Sequence, residues 1–317
     1  MTWAVFPIFA SVFYCISACL QNYLTDNAIP KKRAGSYAVM HIPGFLAAIV
    51  LLFALFGRAV LIVPFSMALG LMVAGVINVI GATFYYRALQ KGDTIDITII
   101  GQLSPLVSLG LGLLILKEAI TVNQAVGFIF IMIASLVVVF GDSSGKTKKK
   151  RSISPVLIAI CFVYMFFSIS SDIVFAYFLG DRTSDYTLFA QSFFFFEVGS
   201  LLAAVAMAIV NGSWRKAVKK TFLVGPKHAK YLAYSFIDNI SYLLAEFFYK
   251  LGLILSPIVA LVTIIGKVGG LFSSLFINII LGRAFPKIIQ PKKMNRRMIL
   301  QYSIAAVLIV IGVFVMN

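Results

Sequence analysis

The chain has 317 residues, of which 61% are hydrophobic and 12% are charged, and its formal net charge is +16. Soluble globular proteins average about 45–50% apolar and about 25% charged residues, so this composition excludes an ordinary soluble domain. It predicts a polytopic membrane protein in which the basic residues contact lipid headgroups instead of nucleic acid.

Ten apolar runs are long enough to form membrane-spanning helices, each of which needs about 20 apolar residues. The first run has no positively charged start and no small-residue cleavage site, so it is predicted to be a retained helix. The predicted fold class is therefore all-α, with ten transmembrane helices. The ten spans are predicted at residues 3–20, 37–56, 61–85, 95–116, 122–140, 155–178, 188–210, 229–248, 254–281 and 298–316.

Lysine and arginine are distributed unevenly over the predicted loops. Loops 1–2, 3–4, 5–6, 7–8 and 9–10, which share one side of the membrane, hold 22 of the 27 basic residues. The opposite side holds Arg58, Lys117, Arg182 and Lys250, and Lys267 lies inside span nine. The positive-inside rule places the five basic loops in the cytoplasm and both termini outside, in the cell (inner) membrane.

A basic linker, residues 142–154, divides the chain into halves of five spans each, residues 1–141 and 155–317. The tetrapeptide Thr-Ile-Ile-Gly occurs at Thr98–Gly101 and at Thr263–Gly266, and the residues after the two copies also match at several positions. Because five is an odd number, the second half must enter the membrane from the side opposite to the first. The sequence therefore predicts two inverted five-helix repeats, an architecture that recurs in secondary transporters.

Residues 85–139 resemble spans three to five of the EamA-like branch of the drug/metabolite transporter (DMT) superfamily. Tyr85 and the sequence Arg-Ala-Leu from Arg87 close span three, Pro105 lies early in span four, a Leu-x-Glu at 116–118 ends it, and Gly127 lies early in span five. The second half departs from this pattern, because Arg283 replaces the glutamate. The resemblance implies a ten-helix carrier of small metabolites that works by alternating access without nucleotide hydrolysis. Carriers of this family usually have cytoplasmic termini, contrary to the orientation that the charge distribution predicts.

Ionisable residues inside membrane spans are costly and are functional candidates by default. Five occur in the second half: Asp172, Glu197, Asp238, Glu246 and Lys267. Lys267 lies near the middle of span nine and needs an anion, which is either a protein carboxylate or the substrate. The resemblance favours a substrate role, since related carriers of nucleotide sugars and phosphate esters hold anionic groups with a lysine in span nine.

Span eight has one polar face, since Asp238, Tyr242, Glu246 and Tyr249 follow one another at spacings of four, four and three. In the first half, Gln102 is in register with Lys267, and Asn78 is close to the register of Asp238. The predicted substrate site consists of Lys267, Gln102, Asp238, Tyr242, Asn78, Tyr14, Tyr85 and Ser104.

Three residues are candidates for coupling, and each has an alternative interpretation. Glu197 follows four phenylalanines that suit packing or lipid contact better than a ligand cage. Glu246 lies near the predicted end of its span and could be interfacial. His41 could relay protons or could be an interfacial, hydrogen-bonded histidine.

Helix-breaking and close-packing signals accompany these polar positions. Ser104-Pro105 and Ser256-Pro257 predict broken helices of the kind found at carrier sites. Gly266 and Gly270 form a G-x-x-x-G pair that predicts close helix packing.

We predict a secondary-active, alternating-access transporter of a small polar or charged organic metabolite, with its site between spans three, four, eight and nine. Its partners would be the small-molecule substrate, membrane lipids, and a coupling proton or counter-substrate. No catalytic triad, zinc spacing or paired catalytic carboxylates can be assembled from the sequence, so we expect no enzyme, metal or cofactor. The alternative is a non-transporting membrane scaffold or receptor.

Overall fold

The computed structural model describes residues 2–29, 34–91, 97, 100–142, 154–179, 185–224, 227–256, 258–284 and 296–315. In these parts of the chain all regular structure is helical, and eleven α-helices occur. Ten follow the predicted spans and are numbered here; the eleventh is a short helix, Gly212–Val218. The ten are α1 (Val5–Asn27), α2 (Ile42–Phe56), α3 (Phe65–Lys91), α4 (Ser104–Leu111), α5 (Val122–Asp142), α6 (Pro155–Leu179), α7 (Tyr186–Val210), α8 (His228–Leu255), α9 (Val259–Ala284) and α10 (Arg296–Val315).

Segments of 3-10 helix and π-helix adjoin several of these α-helices. The 3-10 segments Ala34–His41 and Gly57–Leu61 flank α2, and the π-helical segments Gly112–Leu116 and Lys219–Val224 continue α4 and the short helix. The predicted break in span four is present, because a turn at Gln102 and Leu103 separates helical residues 100 and 101 from α4. Pro257, Thr98, Ile99 and most of the predicted linker, residues 143–153, lie outside the described residues.

Six helical stretches are long and apolar enough to cross a bilayer: α1, α3, α6, α7, Ala38–Leu61 and Val259–Ile277. Large apolar side chains also lie exposed on the outside of the molecule, among them Leu55, Phe65 and Phe314. A soluble monomer rarely exposes so much contiguous apolar surface. The chain is therefore an integral, multi-pass membrane protein.

The helices of the other four predicted spans do not reach this length and apolarity over the residues that the structure describes. Apolar helices cover Ser104–Leu116, Val122–Val137 and Ile299–Gly312. Helix α8 has 28 residues, but it carries Asp238, Glu246 and Lys250 within that length. The ten-span count and the inverted repeat stay predictions.

The predicted boundary between spans eight and nine was wrong. We placed the end of span eight at Phe248 and the start of span nine at Ile254, with Lys250 in a loop. Helix α8 instead continues to Leu255, and Lys250 is only 1% exposed. A lysine can lie inside this helix because Asp172 of α6 compensates its charge, a pairing that a linear sequence does not reveal.

The core lies between helices of the two halves. Helix α1 packs on α8 and α9, while α3 packs on α6 and α7. Helices α2 and α7, α4 and α9, and α5 and α10 also pack against each other. The polar residues described below lie along the contacts of α8 with α1 and α2.

Helices α3 and α7 cross in direct backbone contact at Gly75 and Gly199. A Cβ at Gly75 would collide with the carbonyl oxygen of Phe196, and a Cβ at Gly199 with that of Met72. Ser200 Oγ donates a hydrogen bond to the Gly75 carbonyl oxygen, 3.3 Å away. Only glycine lets the two backbones approach this closely.

The glycine pair that we predicted in α9 does not mark a close crossing. A Cβ at Gly266 would make ordinary van der Waals contacts, and a Cβ at Gly270 would meet no atom within 4 Å. The close contact is at Gly269, where a Cβ would lie 2.7 Å from Ser11 Oγ of α1. The G-x-x-x-G spacing therefore identified the helix but not the residue.

Candidate functional site

The predicted polar face of α8 is buried against α1. Asp238 is 0% and Glu246 6% exposed. Ser17 Oγ donates to Asp238 Oδ1 at 2.5 Å, and Tyr14 OH donates to Glu246 Oε1 at 2.8 Å. The one-face arrangement inferred from the spacing is confirmed, and the hydrogen-bonding partners of Asp238 and Glu246 shown here come from the other half of the chain.

Glu246 is therefore not interfacial, contrary to the alternative considered above. Because α8 continues nine residues beyond it to Leu255, the carboxylate lies inside the helix bundle. Its partner Tyr14 has its ring edge-on to the rings of Tyr242 and Tyr249, with centroid distances of 6.2 and 6.3 Å. Three tyrosines thus surround one buried carboxylate.

His41 lies at the start of α2 and is buried, with 3% of its surface exposed. Its Nε2 is 2.7 Å from Tyr86 OH and 3.9 Å from Asp238 Oδ2. Its ring centroid is 4.8 Å from that of Tyr242. His41 is hydrogen-bonded, as one interpretation predicted, but it bonds inside the bundle and belongs to the same cluster as Asp238.

Asn78 and Tyr85 extend this cluster on α3. Asn78 Nδ2 donates to Tyr242 OH at 3.2 Å. The ring of Tyr85 lies 5.1 Å from that of Tyr164 on α6 and 5.6 Å from that of Tyr86. Two of the predicted first-half residues therefore belong to this cluster. Asn78 bonds Tyr242 of α8 directly, whereas Tyr85 contacts Tyr86, which is bonded to His41.

A narrow cleft borders the cluster where α2, α7 and α8 meet. His41, Phe45, Glu197, Asn239 and Tyr242 are among the residues that line it, and it leaves no room for a water molecule. Glu197 is 1% exposed, and its Oε2 has no hydrogen-bond partner among the described residues. The phenylalanines before it serve packing, since Phe193, Phe194 and Phe196 are all buried.

Asp172 and Lys250 form an ion pair between α6 and α8, with Nζ 2.5 Å from Oδ1. The Lys250 ammonium also lies over two aromatic rings, 4.9 Å from the Phe175 centroid and 4.5 Å from the Phe196 centroid. Sequence reasoning missed this pair. The available signal was the spacing, because Lys250 is four residues after Glu246 and so lies near the predicted polar face.

Lys267, Gln102 and Ser104 were predicted to join the site, and the structure places them outside the cluster around Asp238. Lys267 is partly buried, and no described residue forms an ion pair with it within 4.0 Å. Gln102 Oε1 accepts a hydrogen bond from Ser135 of α5. Ser104 Oγ is buried without a partner among the described residues.

Glu118, the last residue of the Leu-x-Glu motif, connects the two halves. Its Oε1 accepts a hydrogen bond of 3.0 Å from the backbone N–H of Val259, the first residue of α9. Acceptors at a helix N-terminus satisfy a free N–H group and favour the helix dipole. The carboxylate of a first-half motif therefore caps a helix of the second half.

No group of three or more His, Cys, Asp or Glu side chains among the described residues is arranged to hold a metal ion. What the residues near the cleft offer is a set of buried carboxylates, hydroxyls and aromatic rings. Such a set can bind a polar or charged organic group or a proton.

Comparisons with known proteins agree with this architecture. Residues 1–140 match the model of the EamA-like transporter family. An uncharacterized protein of Methanocaldococcus jannaschii is 24% identical over 132 residues, which are 42% of this chain and 92% of that protein. A crystal structure of a protein matches 97% of this chain and 94% of its own, with a TM-score of 0.62 and 15% identity, which shows a shared fold.

The family match contains residues 85–139, on which the resemblance was first based, and so confirms it. It also extends that resemblance to the whole first half, including α1 and α2, whose residues Tyr14 and His41 contact α8. Residues 1–140 of this membrane protein thus match the EamA-like transporter family, which is part of the DMT superfamily.

Proposed function

We propose that the chain is a secondary-active carrier that moves a small polar or charged organic metabolite by alternating access. The observation that carries this proposal is the buried cluster in which Tyr14 and Ser17 of α1 meet Glu246 and Asp238 of α8. Buried carboxylates in a membrane are strongly unfavourable and mark substrate or ion pathways. A scaffold would gain nothing from such a cluster.

The helix contacts support the inverted repeat on which alternating access depends. In such a repeat each helix of the first half is equivalent to the helix numbered five higher, so that α1 corresponds to α6 and α3 to α8. A two-fold rotation exchanges the members of each pair. This exchange turns the α1–α8 contact into the α6–α3 contact, and it leaves the α2–α7, α4–α9 and α5–α10 contacts unchanged. All five contacts occur, as expected for two repeats related by a two-fold axis.

The length of the relative from Methanocaldococcus jannaschii supports the proposed repeat boundary at residues 142–154. Its match covers 92% of its own length but only 42% of this chain, so the relative is shorter than half of this chain. One five-helix unit is about that size, residues 1–141. We take residues 155–317 as the second repeat.

The tight cleft supports a cycle in which the site closes before it opens to the other side. Closed packing of α2, α7 and α8 around Glu197 excludes water in this conformation, and the halves would move apart to admit substrate. A coupling proton would bind to Glu197, Glu246 or Asp238, and His41 Nε2 is a basic group 3.9 Å from Asp238 Oδ2. Lys267 would enter the pathway from α9 once it opens.

The carrier function is tested by solute flux in proteoliposomes that contain the purified full chain. We expect saturable uptake of at least one solute from a broad metabolite panel, and we expect Asp238→Asn to abolish it. Asp26→Asn is the matched control, because Asp26 is exposed at the end of α1. Absence of flux across the panel would favour a scaffold or receptor, and uptake that survives Lys267→Ala combined with Gln102→Ala would remove those two residues from the site.

A further inference from the structure

The carboxylate of Glu197 is buried, lines the cleft, and has one oxygen without a hydrogen-bond partner among the described residues. Its side chain is 1% exposed, and Oε2 accepts no hydrogen bond from any described residue. An ionised carboxylate in a dry site needs a donor or a positive charge. Whenever Glu197 is ionised, a hydrogen-bond donor or a positive charge from outside the described residues must therefore reach its carboxylate.

The charged side chains described around Glu197 do not neutralise its negative charge. The charged groups that interact with Glu197 are Glu246 and Lys250, and Lys250 is already committed to Asp172 at 2.5 Å. Across the cluster, Asp238 lies beside His41 at 3.9 Å. Even if His41 is protonated, the acidic groups around the cleft outnumber the basic ones among the described residues, and their electric field favours a cation.

The walls of the cleft are aromatic and contribute acceptors. The His41 ring centroid lies 6.1 Å from that of Phe45 and 4.8 Å from that of Tyr242. The amide nitrogen of Asn239 donates to the carbonyl oxygens of Met40 and Ser235, at 3.0 and 2.7 Å. Its amide oxygen is consequently turned toward the cleft residue Gly44, where a Cβ would lie only 2.6 Å from it.

A carboxylate, an amide oxygen and aromatic faces together form the environment that proteins use to bind ammonium groups. We propose that the cleft binds the protonated amino group of an organic amine, with N–H donors directed at Glu197 and Asn239 and its apolar part against Phe45 and Tyr242. This assignment gives the substrate class and, as regards transport, rests on the proposed carrier function. An anionic solute would be repelled from the same position.

Binding of three probes of similar shape to the purified full chain tests the assignment. Phenethylamine is a cation, 2-phenylethanol is neutral and 3-phenylpropionate is an anion. We expect the amine alone to bind saturably by calorimetry and to raise the unfolding temperature roughly with the logarithm of its concentration above the Kd. Glu197→Gln should weaken amine binding by at least about tenfold, as expected for the loss of a charge-assisted hydrogen bond, while Asp26→Asn leaves it unchanged.

A second variant keeps the test valid if Glu197→Gln does not fold. Phe45→Leu retains the apolar volume but removes the aromatic face, and it should weaken amine binding by about threefold, the lower range of a cation–π contact. Amine binding that is unaffected in a folded Glu197→Gln protein would overturn the proposal. Saturable binding of the anion without the amine would also overturn it.

Flux measurements on the same probes separate the two proposals. Transport of an anionic solute, with no binding of the amine, would refute the amine site and leave the carrier function intact. Binding of the amine that depends on Glu197, with no flux of any solute, would support the site and refute the carrier.

Discussion

Removing one member of the Asp172–Lys250 pair should destabilise the protein strongly. Lys250 is 1% exposed, its Nζ lies 2.5 Å from Asp172 Oδ1, and both groups are enclosed by helices. At that distance and an effective dielectric constant of about 20, the Coulomb attraction is roughly 7 kcal/mol before desolvation is subtracted. Breaking such a pair from one side leaves a buried charge without a counterion and costs about 3–5 kcal/mol.

The double variant distinguishes an ion pair from two independent packing contacts. Lys250→Met and Asp172→Leu should each lower the free energy of unfolding by about 3–5 kcal/mol, whereas the double variant should be close to wild type, because apolar residues of similar volume replace both charges. The coupling between the two substitutions should then be several kcal/mol, far above the roughly 0.5 kcal/mol scatter of independent sites.

Unfolding of the purified variants in detergent, followed by heating and by denaturant titration, measures these differences. Lys230→Met is the matched control, since the Lys230 ammonium lies over two rings, those of Tyr23 and Tyr234, at 5.5 and 5.4 Å, but is exposed. Because the ammonium is exposed to solvent, its loss should leave the unfolding transition close to that of the wild type. If the single variants also lose less than about 1 kcal/mol, or if the double variant equals their sum, the pair is not a compensated buried charge.

Three further predictions follow from the fold. Gly199→Ala should destabilise the α3–α7 crossing by about 1–3 kcal/mol, as overpacking does, whereas Gly110→Ala, which meets open space, should be neutral or slightly stabilising in thermal unfolding. Glu118→Ala should lower stability by about 1 kcal/mol through the lost N-terminal cap of α9, measured by the same assay. If the charge bias sets the topology, a cysteine placed at Lys117 should be labelled from outside intact cells and one at Lys149 should not, and the reverse pattern would place the basic loops outside.

Much of the helical fold was predictable because hydrophobic length is a local property of the sequence. The apolar runs located helices such as α6 and α7 to within a few residues. The errors occurred where charge interrupts a run. The hydrophobic pattern predicts a loop at Lys250 and ends α8 too early, because the compensating Asp172 is 78 positions away in the chain.

The candidate site was predictable to a similar extent. The spacing of Asp238, Tyr242 and Glu246 was enough to place them on one face of α8, since helical periodicity fixes which residues share a face. It did not identify Ser17 as a partner, because the helix that covers a polar face depends on tertiary packing. The spacing on α1 does indicate Ser17, because it lies one helical turn after Tyr14, a predicted substrate-site residue.

The α3–α7 crossing sets a condition on any motion of the bundle. At Gly75 and Gly199 the two backbones touch with no side chain between them. Side chains elsewhere can change rotamer as helices slide, but a backbone-to-backbone contact has no rotamer to change. Helices α3 and α7 come from different halves, so a rocking of one half against the other would keep this crossing fixed and turn about it. The cleft at Glu197, two residues from Gly199 on the same helix, would then lie close to the pivot, so the rotation would displace it less than the two membrane-facing ends of the bundle.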